Sequence, residues 1–148
     1  MKKSTLTYIS IVFLYSIFLS LPINAKTIAS CGSSDGYAAY LRNGNLGSQG
    51  DFTKDGFSNS KIILEAEGDK VDIVFYNASK PYRASNDGFV SLVNHNKSNN
   101  TWMVLAVTDT YIDTYLFYLD NSGRGEVVWT NARSGGTPKA VLMRARCK

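Results

Sequence analysis

The chain predicts an all-β fold, a single-domain antiparallel up-and-down meander closing as a barrel of about eight strands. Three observations lead there. From residue 26 onward the sequence is rich in Tyr, Val, Ile, Phe and Thr and shows no long stretch of helical periodicity. Clusters of Gly, Asn, Asp and Ser punctuate the apolar runs at short intervals. Two cysteines, Cys31 and Cys147, bracket the whole, so a single disulfide would join the first strand to the last.

An export signal precedes that domain. Lys2 and Lys3 form a charged start, Tyr8–Leu21 is apolar, Pro22 ends the stretch, and Ala25 is the small residue that signal peptidase requires. The apolar stretch is too short and wrongly flanked for a membrane span. Cleavage after Ala25 leaves residues 26–148 as one domain, long enough to bury its own core. The short lysine-led signal has the bacterial form, which makes the destination periplasmic or extracellular. A competing signal is Ile28-Ala29-Ser30-Cys31, which matches a lipobox and would put a lipid anchor on Cys31. Against it, Asn24 and Lys26 separate the apolar core from the cysteine, and lipidation would leave Cys147 without a partner.

Each strand follows from an apolar run and the turn that ends it. Gly36–Arg42 is the first strand. Asn43–Ser60, with Asn43-Gly44-Asn45, Gly47-Ser48 and Asp55-Gly56, reads as one long loop and so as a functional candidate. Lys61–Glu67 and Lys70–Asn77 form a hairpin around Gly68-Asp69, and Tyr82–Ser85 adds a short edge strand. Phe89–Asn96 and Thr101–Thr108 flank the Lys97–Asn100 turn. Tyr111–Leu119 follows Asp109-Thr110, Glu126–Arg133 follows Asp120–Gly125, and Lys139–Cys147 follows Ser134–Pro138.

Pairing outward from each turn assigns the faces. In the first hairpin Ile62, Leu64 and Ala66 oppose Phe75, Ile73 and Val71 on an apolar face, while Glu65 and Glu67 oppose Asp72 and Lys70 on a charged one. Continued round the sheet, the inner face holds Val90 and Leu92; Met103, Leu105 and Val107; Ile112, Leu116 and Tyr118; Val127 and Trp129; then Val141, Met143, Ala145 and Cys147. Trp129, Met103, Met143 and Tyr118 would fill the bore and leave no room for a ligand. The same register lines up His95, Trp102, Phe117, Val128 and Arg144 on the outer face, beside Val93, Val104, Tyr115, Thr130 and Leu142. An exposed aromatic row of this kind is either a contact surface or a second core under a covering loop. His95, Trp102, Tyr115, Phe117 and Arg144 are therefore the candidate binding residues.

Composition excludes several function classes. Removal of Lys2 and Lys3 takes the formal charge from +4 to +2, with both signs interspersed, so no basic block remains to follow a nucleic acid backbone. His95 is the single histidine, no carboxylate pair stands out from the turns, and neither a G-x-S-x-G elbow nor zinc-ligand spacing occurs. The chain therefore reads as a non-enzyme without cofactor or metal. Ser134-Gly135-Gly136 offers at most a nest of backbone amides.

In architecture the chain resembles the small exported bacterial β-barrels that include periplasmic lysozyme inhibitors, which share a signal peptide and a terminal disulfide. Ser85-Asn86-Asp87-Gly88-Phe89 and Val128-Trp129-Thr130 are faint counterparts of their loop motifs, and no inhibitory residue carries over. The resemblance implies a binder. The expected function is thus an exported binding module, an inhibitor of another protein or a glycan binder, using the aromatic outer face or the 43–60 loop. The alternatives are a lipid-anchored envelope protein, a small-ligand carrier and a hydrolase.

Overall fold

A computed structural model describes residues 25–40, 52–77, 80–135 and 138–148. Residues 1–24 of the expected signal segment, Leu41 and Arg42 of the expected first strand, residues 43–51 of the expected long loop, and Gly136 and Thr137 of the expected last turn lie outside the described residues. Among the described residues ten strands follow one another: β1 (Lys26–Tyr40), β2 (Phe52–Phe57), β3 (Lys61–Glu67), β4 (Lys70–Asn77), β5 (Lys80–Arg83), β6 (Phe89–Asn96), β7 (Thr101–Val107), β8 (Tyr111–Leu119), β9 (Gly125–Arg133) and β10 (Lys139–Cys147). A 3-10 turn, Ala84–Asn86, connects β5 to β6.

All the ladders are antiparallel, and nine strands lie in the order β5-β4-β3-β1-β10-β9-β8-β7-β6. The sheet curls into a half-barrel because strands twist and its inner face is the apolar one. Its two end strands, β5 and β6, share no ladder among the described residues, and β6 packs against β4 instead.

The expected seam between first and last strands is present. Cys31 stands directly opposite Cys147 in the β1–β10 ladder, and the two form a disulfide across 116 residues.

β1 is longer than the expected Gly36–Arg42 and starts at Lys26. Its first half pairs with β3 and its second half with β2, so β2 and β3 act as one interrupted strand along a single edge of β1. The interruption is at Asn59, whose φ of 62° is a conformation asparagine tolerates and most residues avoid. Its amide donates to the Ser33 hydroxyl at 3.2 Å, while the Ser60 hydroxyl donates to the Phe57 carbonyl at 2.9 Å. Phe52–Phe57, expected as loop, is thereby a strand recruited by the long partner beside it.

The β3–β4 hairpin has the expected register, with Leu64 opposite Ile73 and Glu65 opposite Asp72. Two like charges directly opposite would repel. Arg83 of β5 relieves this by reaching Glu65 at 2.8 Å and Asp72 at 3.4 Å.

Two one-residue irregularities change the faces further round. A bulge between Leu92 and Asn94 lets both Leu92 and His95 face the interior and pushes Val93 outward. The β8–β9 connection is five residues, 120–124, so Leu119 pairs with Gly125 and not with Glu126. Asp120 organises it, accepting from the Ser122 hydroxyl at 2.6 Å and from the amides of Ser122 and Arg124. Those bonds, the Ser122 hydroxyl first, hold the Asp120 carboxyl at a pKa of about 2. Gly125 can occupy the ladder because it lacks a Cβ, which would stand 2.0 Å from the Tyr118 carbonyl oxygen.

Between these irregularities β7 and β8 are inverted relative to the expected faces. Val104, Ala106, Tyr115, Phe117 and Leu119 are buried, whereas Met103, Ile112, Leu116 and Tyr118 are exposed. β9 and β10 keep their expected faces, with Val127, Trp129, Val141, Met143, Ala145 and Cys147 buried.

Candidate functional site

The inversion opens the bore at one end. Met103 and Tyr118 point to solvent at 42% and 60% exposure, so they do not fill the interior as expected. At the end of the half-barrel where β8 begins, a partly open cavity of about 350 Å3 remains. Its size falls at the small end of the roughly 300–1,000 Å3 typical of ligand sites.

Aromatic side chains make one side of the cavity. Phe57 of β2, Phe75 of β4 and Trp129 of β9 meet with ring centroids 5.8 to 6.3 Å apart, and Tyr115 stacks on Trp129 at 6.0 Å. Trp129 is fixed from behind, its indole N–H donating to the buried Ser34 hydroxyl at 3.2 Å. Ile73, Ala84 and Val141 complete the apolar lining.

Polar groups make the other side. Asp113 of β8 lies opposite Asn131 of β9 at inward positions, between the Tyr115–Trp129 pair and the Tyr111–Arg133 pair. Its carboxylate accepts from the Asn131 amide and, at 2.9 Å, from the Tyr115 hydroxyl. Burial pushes the Asp113 carboxyl above its ordinary pKa, and the Asn131 and Tyr115 bonds and the Arg133 charge offset only part of that. Burial, then the charge and hydrogen bond of Asp113, raise the Tyr115 hydroxyl well above its usual value. From the opposite wall Tyr82 of β5 reaches across the bore to share a hydrogen bond with Tyr111 of β8, and Tyr82 donates to Asp87 at 3.0 Å.

The rim carries cations. Arg133 stands opposite both Tyr111 and Lys139 in its two ladders. Lys139 is engaged, lying 3.6 Å from Asp55 and over the rings of Tyr40 and Phe57 at 5.5 and 5.7 Å. Arg133 makes no ion pair among the described residues.

The expected binding row does not face outward as a unit. Phe117 is wholly buried and Tyr115 nearly so; of the five candidates, Tyr115 lines the cavity. His95 and Trp102 stack at 3.6 Å toward the other end of the bore, tied together through Asn100, which accepts from the Trp102 indole at 2.9 Å. Arg144 alone is on the outer face, paired with Glu126. Trp129, expected only as core, is a wall of the cavity. No local pattern distinguishes Asp113 from the turn aspartates near it, and the signal that marks it is its inward alignment with Asn131, which depends on the five-residue turn. Tyr82, Tyr111, Asp87, Arg133 and Lys139 have no local sequence signal, since only the curl of the sheet brings them together.

The outer face carries a different feature. Phe89, Val107, Ile112, Ala132, Ala140, Ala39 and Phe52 form one row across seven strands. The row itself contains no polar side chain, so it supplies area without the convergent polar groups that fix a ligand's orientation.

Comparison with protein-family models, with curated proteins and with solved structures gives no match to this chain. Among the described residues no group of three His, Cys, Asp or Glu side chains is placed to hold a metal ion.

Proposed function

We propose that this protein is an exported binding module that receives its ligand in the mouth of the half-barrel. One observation carries the reading: a single cavity joins an aromatic wall to a wall of oriented polar groups, and strands far apart in sequence build it. The site is largely preformed, because its side chains project from ladder-paired strands that the disulfide seam ties together. Preorganisation of this kind lowers the ordering cost of binding. Export accords with the disulfide, which persists in oxidising compartments.

The binding role moves from the outer aromatic row to the interior, because Phe117 and Tyr115 are buried and His95 and Trp102 are half-buried on the inner face. Asp113, Asn131, Tyr111, Tyr82 and Arg133 take over the part of orienting groups, and Trp129 and Phe75 that of the apolar surface. Screening a fragment set by backbone amide NMR tests the reading. Shifts centred on Asp113, Tyr115, Trp129 and Asn131 are expected. Shifts centred instead on Met103, Leu116 and Leu142 would put the binding surface on the outer face.

A further inference from the structure

We propose that the mouth cavity takes the end ring of a neutral saccharide, with its C–H face against the aromatic wall and its hydroxyls between Arg133 and the free acceptors of Asp87 and Asn131. The inference rests on the cavity being the binding site and adds the class of its ligand.

Charge balance argues first for neutrality. The lining holds two carboxylates, Asp87 and Asp113, and two cations, Arg133 and Lys139. Lys139 is committed to Asp55 at 3.6 Å, which leaves Arg133 facing the two carboxylates. An anionic ligand would gain Arg133 but meet Asp87 and Asp113 in a partly desolvated space, where like charges repel strongly. An amine would meet Arg133. A ligand without net charge avoids both penalties.

Hydrogen-bond valence then selects hydroxyls. Ionised carboxylates only accept and a guanidinium only donates, whereas each hydroxyl does both and can bridge the two kinds. A wholly apolar ligand would strip water from Arg133 and Asp87 and return nothing. One Asp87 oxygen is engaged by Tyr82, and Asn131 gives one of its two side-chain N–H groups to Asp113. The second Asp87 oxygen and the Asn131 carbonyl oxygen are the acceptors left to a ligand.

The aromatic wall supplies the remaining criterion. Ring faces carry partial negative charge and attract polarised C–H groups. Phe57, Phe75 and Trp129 meet at angles of 39° to 86°, so they form a concave corner and not a flat slot for a planar aromatic ligand. A puckered ring with one apolar face and a hydroxylated edge matches a corner of this kind opposite a polar wall.

The test uses the oxidised protein with maltotriose, cellotriose and chitotriose as neutral probes, and decanoate and decylamine as charged apolar comparators, each titrated by backbone amide NMR. At least one trisaccharide should shift the Asp113, Tyr115 and Asn131 amides saturably. Arg133→Gln and Asp87→Asn, both at exposed positions, should each weaken that binding roughly ten-fold, the loss expected for one charge-assisted hydrogen bond. Arg146→Gln on the outer face should leave it unchanged, and the amide spectrum of each variant verifies folding. If decanoate or decylamine occupies the cavity and no trisaccharide does, the saccharide inference is overturned while the cavity remains the site. If no probe moves the cavity amides, the inference and the proposed site fall together.

Discussion

The β3–β4 hairpin and the β7–β8–β9 sheet solve the same packing problem with unequal help from their side chains. In β3–β4 the inward Leu64 and Ile73 are buried, and the outward Glu65, Asp72, Glu67 and Lys70 are charged. A one-residue slip would bury four charges, so hydrophobicity alone enforces the register. In β8 the outward Ile112, Leu116 and Tyr118 are as apolar as the inward Tyr115, Phe117 and Leu119. A slip there would exchange one apolar set for another. What holds β8 against β9 is local instead: the Asp120-centred turn and a glycine at 125 where any Cβ would strike the Tyr118 carbonyl. The cavity arises in this second region, since Asp113 and Asn131 occupy inward positions only in the register that the turn imposes.

The largest expected effect is at the seam that ties the two regions together. Replacing Cys31 and Cys147 by Ser should cost about 4 to 5 kcal/mol in the chain-entropy account of a long closed loop, measured by urea unfolding of the oxidised wild type against the variant. An unchanged midpoint would mean that the β1–β10 ladder holds both regions without the bridge.

Within β8, Phe117→Ala should cost about 3 to 5 kcal/mol because Phe117 is fully buried and its truncation leaves a cavity. Its neighbour Leu116, 43% exposed, should cost under about 1 kcal/mol when changed to Ala, as an exposed side chain away from the core should. The opposite ranking would show that β8 is turned over and that the contrast with β3–β4 is false.

Much of the fold is legible in the sequence for the reason this contrast exposes. Lys61–Glu67, Lys70–Asn77, Phe89–Asn96, Tyr111–Leu119 and Lys139–Cys147 have the bounds that their apolar runs and turns imply. The disulfide seam follows from the cysteine positions. The faces of β7 and β8 do not, because Asp120-Asn121-Ser122-Gly123-Arg124-Gly125 contains two glycines, and either hairpin length satisfies turn chemistry. The bulge at Leu92 and Asn94 has no sequence mark either, and it compensates the turn, so both flanks of the sheet keep their faces while the middle pair inverts. Phe52–Phe57 pairs because β1 extends past β3 on that edge, a tertiary cause that local propensity does not record.

Acid titration gives a subtler contrast. Burial raises the Asp113 carboxyl above its ordinary value of 3.8, so the folded protein binds this proton more tightly than the unfolded chain does. As pH rises from about 3.8 through the raised value, Asp113 withdraws stability, and above that value the loss is complete. The difference in melting temperature between wild type and Asp113→Asn should therefore favour the wild type most at the acid end. It should decline with rising pH and then level off. A difference that stays constant with pH would place Asp113 in solvent, on the other face of β8.

The smallest effect belongs to the outer face. Glu126 pairs with Arg144, a diagonal neighbour, and not with Arg146 directly opposite. With the two side chains 64% and 36% exposed, Glu126→Gln should change stability by less than about 1 kcal/mol, read as a shift in urea midpoint. A larger loss would mean that this face is covered.

The measurement closest to the central claim is the cross-strand nuclear Overhauser pattern between β8 and β9, because the cavity exists only in one register. The account predicts backbone contacts joining Asp113 to Asn131, Tyr115 to Trp129 and Phe117 to Val127. Contacts joining Tyr115 to Thr130 and Phe117 to Val128 would contradict it, turning Asp113 and Tyr115 out of the bore and removing the site.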